Sequence, residues 1–426
     1  MAHVQKKIII TLLLFLLPIT NNAYVDGPHY WRATPFFGNQ PYIELPGLTT
    51  INSSVGYGST AKSRNKNNST TPLFNLYGNQ NFHYLGNGVP NKNPNDPLDG
   101  LLINLAQLPS NGTFGEVAFD GDFSLIESYI QYTQNIMGGF FMDFQLPIRQ
   151  MNISNITYED LSPTGATFPS KSTPEWQSFL ENLDAILVRY KQSLKNNTQT
   201  NVGDTSILVG WACNQEETTD ALDFIDATFK SGILFPTGRQ LNPELPFDIA
   251  SGYNGHWGVP LQLDVAFGFY EWLNIGFHTD ALFFFNRTQT IRMKTDISQN
   301  GFIKLSQGNA NVSRGILWTT AAFMKADHAI RGLSAVIAYS FAQQNKSFLT
   351  PCNNTIFNTE IVNTDNLLDG FKMHVIHFSA DYDFTDYDQS CGAQIGFYYD
   401  LQVGGRYVFK NNMVGGTFGI NVAWQM

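Results

Sequence analysis

The sequence predicts an all-β protein: a transmembrane antiparallel β-barrel of about 12 strands, with 14 as the alternative, carrying long outer loops and one loop helix. Three observations lead there. Apolar residues alternate with polar or small ones at a period of two over most of residues 125–426. Charged residues make up only 14% of the 426 residues, against about 25% in ordinary soluble domains, while aromatics also reach 14%. Finally, the links between alternating runs sort by length onto two sides.

The elements follow in chain order. Residues 1–23 read as an export signal: a basic start, an apolar run from Ile8 to Ile19, then Thr20-Asn21-Asn22-Ala23 as the cleavage region. Residues 24–112 are poorly periodic and rich in Asn, Gly and Pro. They read as a plug, as loops or as extra strands. Residues 113–426 read as the barrel. Phe140, Met142, Phe144, Leu146 and Ile148 alternate with Asp143, Gln145 and Arg149. Similar runs cover Ser206–Trp211, Ile225–Phe235, Gly332–Phe341 and stretches near 371–382 and 391–409, and Ile316–Ala326 is strand-like with unassigned faces. The run Phe418, Ile420, Val422, Trp424, Met426 ends the chain on an amphipathic strand, the expected handle for outer-membrane assembly machinery. Eleven crossings can be counted from residue 125. An even number is required, so a further strand is expected near 113–121 or 48–60.

The links near 137–139, 214–221, 270–273, 327–330 and 383–390 are short. Those at 150–202, 236–257, 287–313 and 345–370 are long, and 410–414 is the one short link on that side. Short turns on one side and long loops on the other are what a membrane barrel requires. No run after the export signal reaches the ~18 apolar residues of a transmembrane helix. The apolar phase is therefore assigned to lipid and the polar phase to the lumen. In the long loop at 174–191, Trp176, Phe179, Leu180, Leu183, Ile186, Leu187 and Tyr190 repeat at helical spacing, opened by Ser172 and Glu175 at capping-box distance.

The hairpin Leu261–Phe285 fixes a register by parity. Its lumen residues are all even-numbered, so paired numbers must add to an even sum, which excludes a two-residue turn. Pairing 270 with 274 would set Asp264 against Asp280, two like charges. Pairing 269 with 273 sets Asp264 against His278 and Gln262 against Asp280, and this register is expected.

The lumen lining expected from the alternation is Asp226, Lys230, Gln262, Asp264, His278 and Asp280. A polar interior satisfying itself is the simpler account of these residues, and a permeation-setting lining the functional one. His374 and His377 stand three apart on a strand and face opposite sides, a poor metal pair. Cys213, Cys352 and Cys391 match no zinc or redox spacing. No cofactor and no metal is expected, and no local motif singles out a catalytic residue, including His256 and His328 near strand ends. The net charge of −10 argues against nucleic acid.

Three segments resemble a family. GILFPTGR (Gly232 to Arg239), Gly203-Asp204 opening a strand, and the late FGINVAWQM are similar to stretches of the long-chain fatty-acid and aromatic-hydrocarbon uptake barrels. The resemblance implies a barrel in the outer membrane of a Gram-negative-type bacterium, in contact with its lipid. It also implies passive uptake of a small hydrophobic or amphipathic solute caught by the outer loops, and a lumen obstructed by an amino-terminal hatch. The loop helix, through Trp176, Phe179, Leu180 and Leu183, corresponds to the capture element. A general porin and a structural or adhesive surface barrel are the alternatives, and an enzyme is not expected.

Overall fold

The structure is a computed structural model. It describes residues 47–165, 168–216, 221–330, 332–384 and 391–423. The expected export signal, residues 24–46 and the terminal Trp424 to Met426 lie outside the described residues.

Twelve strands form the wall. They are β1 (Leu48–Thr60), β2 (Glu116–Met137), β3 (Phe140–Asp160), β4 (Thr205–Glu216), β5 (Leu222–Phe235) and β6 (Gly258–Phe269). They continue with β7 (Leu273–Phe284), β8 (Leu317–Ile330), β9 (Leu333–Gln344), β10 (Lys372–Asp383), β11 (Cys391–Arg406) and β12 (Met413–Ala423). Each pairs antiparallel with its neighbour, and β1 pairs with both β2 and β12, so the sheet closes on itself. Closure leaves no free edge along the wall, the condition for strands in a bilayer. The short strands Gln80–Asn81 and Asn197–Val202 bring the sheet to 14 strands, but they extend β2 and β3 on the loop side rather than crossing the wall. Among the described residues, no helix is long and apolar enough to cross a membrane.

Alternation decides the faces. In β9, Leu333, Ile337 and Tyr339 are exposed on the outside while Ser334, Val336, Ala338 and Ser340 are buried inside. The same phase exposes Ile51, Val209, Phe267, Phe397 and Phe418 around the circumference. Such a continuous greasy exterior is stable only against hydrocarbon. Exposed Phe140, Trp211, Tyr270, Trp272 and Tyr382 ring the turn end, and Tyr57, Trp257, Phe285 and Tyr339 ring the loop end. These are two aromatic girdles of the kind that sit at membrane interfaces. In β8, whose faces the sequence leaves open, Leu317, Thr319, Ala321, Phe323 and Lys325 are buried inside.

The β6–β7 register is the expected one. Phe269 pairs with Leu273, Val265 with Phe277, Asp264 with His278 and Gln262 with Asp280. Without glycine in the three-residue turn, Tyr270 and Glu271 take φ of 54° and 64°, a left-handed conformation unfavourable for such side chains. The turn is held by its neighbours: the Glu271 N–H donates to Asp223 at 2.5 Å, and the Trp272 carbonyl accepts from the Asp327 N–H at 2.6 Å.

Several expectations are corrected in detail. The strand needed to make the count even is Leu48–Thr60, upstream of the expected barrel start at 113; it is a wall strand, so no hatch includes it. Residues 61–115 then form a loop at the same end as the other long loops. The expected helix at 174–191 is two helices, α2 (Pro174–Glu181) and α3 (Leu183–Arg189), broken where Asn182 takes φ −104° and ψ 9°. Ser172 and Glu175 form no capping box. Thr173 is the N-cap, makes no side-chain bond to the helix, and instead accepts from the Ser170 N–H. The 61–115 loop holds α1 (Pro97–Gln107), capped by Asp96, whose carboxylate accepts from the Leu98 and Asp99 N–H groups. Its start, Asp96-Pro97 followed by Leu98, Leu101, Leu102 and Leu105, carries a readable helix signal that the Asn- and Gly-rich surroundings obscure.

Candidate functional site

The lumen has two unlike halves. At the turn end it is a polar network. Asp143 of β3, 1% exposed, accepts from Gln131 at 2.9 Å, Gln145 at 3.0 Å and Thr133 at 3.3 Å, with the Lys230 ammonium at 3.4 Å. His278 lies between Asp264, 2.6 Å from its Nδ1, and Asp280, 3.3 Å from its Nε2. Asp226 accepts from Asn214 at 2.6 Å, and Gln262 stands opposite both Asp280 and Lys230. All six residues of the expected lining thus lie on the inner face. A second line runs across β9, β10 and β11: Ser340 Oγ is 2.7 Å from His377 Nε2, and His377 Nδ1 is 2.7 Å from Asp400. His374, facing outward, bonds the Tyr339 hydroxyl instead. The network is what burial demands, because a buried charge without partners costs several kcal/mol.

Interleaved with these groups are aromatic rings lying over glycines of neighbouring strands. Phe141 covers Gly210, Phe224 covers Gly268 and Phe323 covers Gly276, while Tyr398 covers Gly415 of the neighbouring strand and reaches Gly56 of the strand beyond it; a Cβ at any of these glycines would overlap the ring. The rings therefore lie along the wall.

Toward the loop end the same inward phase turns apolar. Along β2 it runs Val117, Phe119, Phe123, Leu125 before reaching Glu127, Gln131 and Thr133; along β3, Met151 and Ile153 lie above Arg149 and Gln145. This upper half is continuous with the interior of a dome made by segments 61–115, 161–204, 236–257, 285–316 and 345–371. Phe74 stacks on Phe247 at 4.2 Å between centroids and touches Phe302 and Phe409; Phe82 meets Phe119 and Phe179. The expected capture residues belong to this core. Trp176 and Phe179 are fully buried, Leu183 is 3% exposed and Leu180 packs at the margin, while Trp176 Nε1 donates to Asp160 at 3.0 Å. Sequence reasoning found the helical stripe but missed its partners Phe82, against Phe179, and Phe114, against Trp176. Those aromatics sit in irregular chain, where no periodicity marks them.

Polar anchors tie the dome together. Arg292 donates to five carbonyls, those of Tyr190, Lys191, Pro243, Lys304 and Leu305, and burial lowers its pKa to about 10. Asp99 joins α1 to α3. Burial opposes its ionisation, yet the Asn93 N–H, the Tyr190 hydroxyl and the Arg189 guanidinium hold its carboxyl below the usual range. His256 bonds the Phe285 carbonyl at 2.9 Å through Nδ1. Burial, seconded by Arg314 and Arg287, lowers its pKa to about 4, and its Nε2 is buried without a hydrogen-bond partner among the described residues. Arg149 links the halves: it pairs with Glu127 at 2.6 Å and donates to the Ser251 carbonyl of the dome at 2.6 Å. The described residues hold no group of three or more His, Cys, Asp or Glu placed for a metal ion, and all three cysteines are free.

No family model and no curated relative matches the sequence. Among solved structures, the chain is similar to an outer membrane channel from Pseudomonas putida F1, with 10% identity over 89% of this chain and 98% of that one and a TM-score of 0.46. It is also similar to the Ralstonia pickettii toluene transporter TbuX (10% identity, 90% and 92% covered, TM-score 0.30). A third is the translocator domain of autotransporter NalP from Neisseria meningitidis (8%, 91% and 90%, 0.33). The architecture itself rests on the chain's own pairing: twelve antiparallel strands closed on themselves, greasy outside, form a transmembrane β-barrel.

Proposed function

We propose that this chain is a channel of the outer membrane of a Gram-negative-type bacterium, and that it serves passive uptake of small hydrophobic or amphipathic solutes. One observation carries the reading: an apolar-cored dome opens downward into an apolar upper lumen, which gives way to a polar lower lumen. A solute entering this path first exchanges water for apolar side chains, the step that favours a greasy molecule. It then meets a network whose groups are already paired and so bind it weakly. A general porin needs a standing water-filled bore, and here Phe74, Phe123 and Phe409 fill the mouth. The reading assigns no catalysis. Leu180 and its buried neighbours Trp176, Phe179 and Leu183 form the capture wall only if the dome parts, so uptake is coupled to dome motion. Assembly machinery engaging the β12 end belongs to the same proposal.

The test combines two measurements on the purified full chain. In a planar bilayer, the wild type should conduct ions poorly, and replacing residues 73–112 with a short Gly-Ser linker should open a steady conductance. In vesicles, the wild type should speed entry of a fluorescent hydrophobic probe over a polar probe of equal size. A large open conductance in the wild type points to a porin. No selective entry points to a surface barrel.

A further inference from the structure

Against a net charge of −10, six cations gather on one sector of the loop-end rim: Lys62, Arg64, Lys66, Lys372, Arg406 and Lys410. The topology brings them together. The short strand Lys62–Arg64 pairs with Val408–Phe409, so Arg64 faces Val408, and the Lys410 N–H donates to the Lys62 carbonyl at 2.9 Å. The Arg64 guanidinium is fixed on the rim: it donates to the Val403 carbonyl at 3.2 Å and to the Asn68 carbonyl and side-chain oxygen at 3.3 and 3.0 Å. A bulge in β11 then sets Arg406 directly opposite Lys372. Like charges directly opposite in a sheet repel and cost stability unless a negative group lies between them.

The carboxylates do not balance this sector. Asp369 lies 3.7 Å from Arg406, but it is shared with Lys346 at 3.3 Å. Among the described residues, Lys62, Arg64, Lys66, Lys372 and Lys410 make no ion pair with a carboxylate. Lys62, Lys66, Lys372 and Lys410 are exposed, and the Nε–H groups of Arg64 and Arg406 are buried without a hydrogen-bond partner among the described residues. The sector starts directly beyond Tyr57, Tyr339 and Val414 of the greasy belt. That is headgroup depth, where lipid phosphates lie.

We propose that this sector is a binding site for the phosphate groups of an outer-leaflet glycolipid. The exposed ammonium groups of Lys62, Lys372 and Lys410 meet the phosphates, and Arg64 and Arg406, held in place by Asn68, Val403 and Asp369, add their positive charge from behind. The acyl chains lie on the belt below. The outer-leaflet assignment rests on the proposed orientation, with the long loops outside.

The test uses the full chain folded in neutral detergent micelles and a fluorescent bisphosphorylated lipid A. Binding should saturate, and the triple variant R64Q/K372Q/R406Q should bind more weakly by roughly fivefold per charge, on the order of a hundredfold in all. R64K/R406K, which keeps the charge, should recover most of the binding. Unlabelled dephosphorylated lipid A should not compete, and inorganic phosphate should compete only in large excess. The folded state of each variant is read from its faster migration on an unheated gel, and if the triple variant does not fold, K372Q alone must still show about a fivefold loss. Wild-type binding by the folded variants, or equal competition by the dephosphorylated lipid, overturns the site. Orientation is read separately on intact cells carrying single-cysteine variants. An impermeant maleimide should label Cys352 and leave Cys391 untouched. The reverse pattern overturns the orientation and the outer-leaflet assignment, whereas the micelle result bears on the site alone.

Discussion

Replacing Arg292 with Met removes a side chain whose hydrogen bonds join three loops of the dome. Four of its five hydrogen bonds are 2.9 Å or shorter: to Leu305 at 2.6 Å, Pro243 at 2.7 Å, Tyr190 at 2.8 Å and Lys191 at 2.9 Å. A hydrogen bond to a charged group contributes about 1.5 kcal/mol at the low end, so the four amount to roughly 6 kcal/mol. Arg292 is only part-buried and Lys191 is exposed, so about half of the orphaned carbonyls regain water, leaving a loss of ~3 kcal/mol. That is on the order of a hundredfold in the population of the opened dome. Amide hydrogen exchange at residues 186–192 and 303–306 should speed up by that factor, while the amides of β6 and β7 keep their protection. Arg292→Lys keeps the charge but offers a single point of donors, and should fall between. Unchanged exchange in the dome would refute the keystone role. Equal loosening of dome and wall would refute the separation of the two.

Other outcomes are expected from the same structure. The folded His256 titrates at about 4, against ~6.5 unfolded, so the imidazole is buried neutral. Stability is then complete above pH 6.5 and fades as pH falls toward 4, by ~2 kcal/mol at pH 5. Protease nicking near 250–257 should rise between pH 7 and pH 5 in the wild type and much less in His256→Gln; equal responses would remove His256 from the account. Asp143→Ala strands the Lys230 ammonium and should cost on the order of 3 kcal/mol, read as a lower temperature for loss of the fast-migrating gel band, with Asp143→Asn milder. An unshifted temperature would mean that the network contributes little. Leu180→Asp together with Leu183→Asp should expose the 161–204 loop to proteases with the barrel intact, since an 8- and a 7-residue helix hold only by packing.

The wall was legible because a lipid-facing strand must alternate without a break. That one constraint gave the phases of Phe140 to Ile148 and of the 261–285 hairpin, and parity with charge then chose the register. Even the cost of the hairpin was visible: a three-residue loop without glycine forces Tyr270 and Glu271 left-handed. What the sequence hid lies where no periodicity applies. Phe74 and Phe82 sit in a loop whose Asn and Gly look like linker, and they become core only because other loops close over them. The helical stripe from Trp176 to Tyr190 did not reveal its break at Asn182. An apolar stripe records which side is covered, not whether the backbone is continuous. The apolar upper lumen was hidden for a related reason. In β2 the inward phase changes from Glu127 to Leu125 without any change of period, so alternation names the face but not what fills it.

The glycines beneath the lumen rings set the calibre of the passage. A ring resting on Gly276 or Gly268 occupies the depth that a neighbouring side chain would have used, so it narrows the bore little for its size. Adding a methyl group at Gly276 would lift Phe323 off the wall and swing it toward the axis. The bore would then tighten by a side-chain change two strands' width across, with the strand count and the pairing untouched. Each glycine and its ring can therefore vary only as a unit, and widening or narrowing of the conduit over evolutionary time should run through paired exchanges at 210 with 141, 268 with 224, 276 with 323, and 415 and 56 with 398.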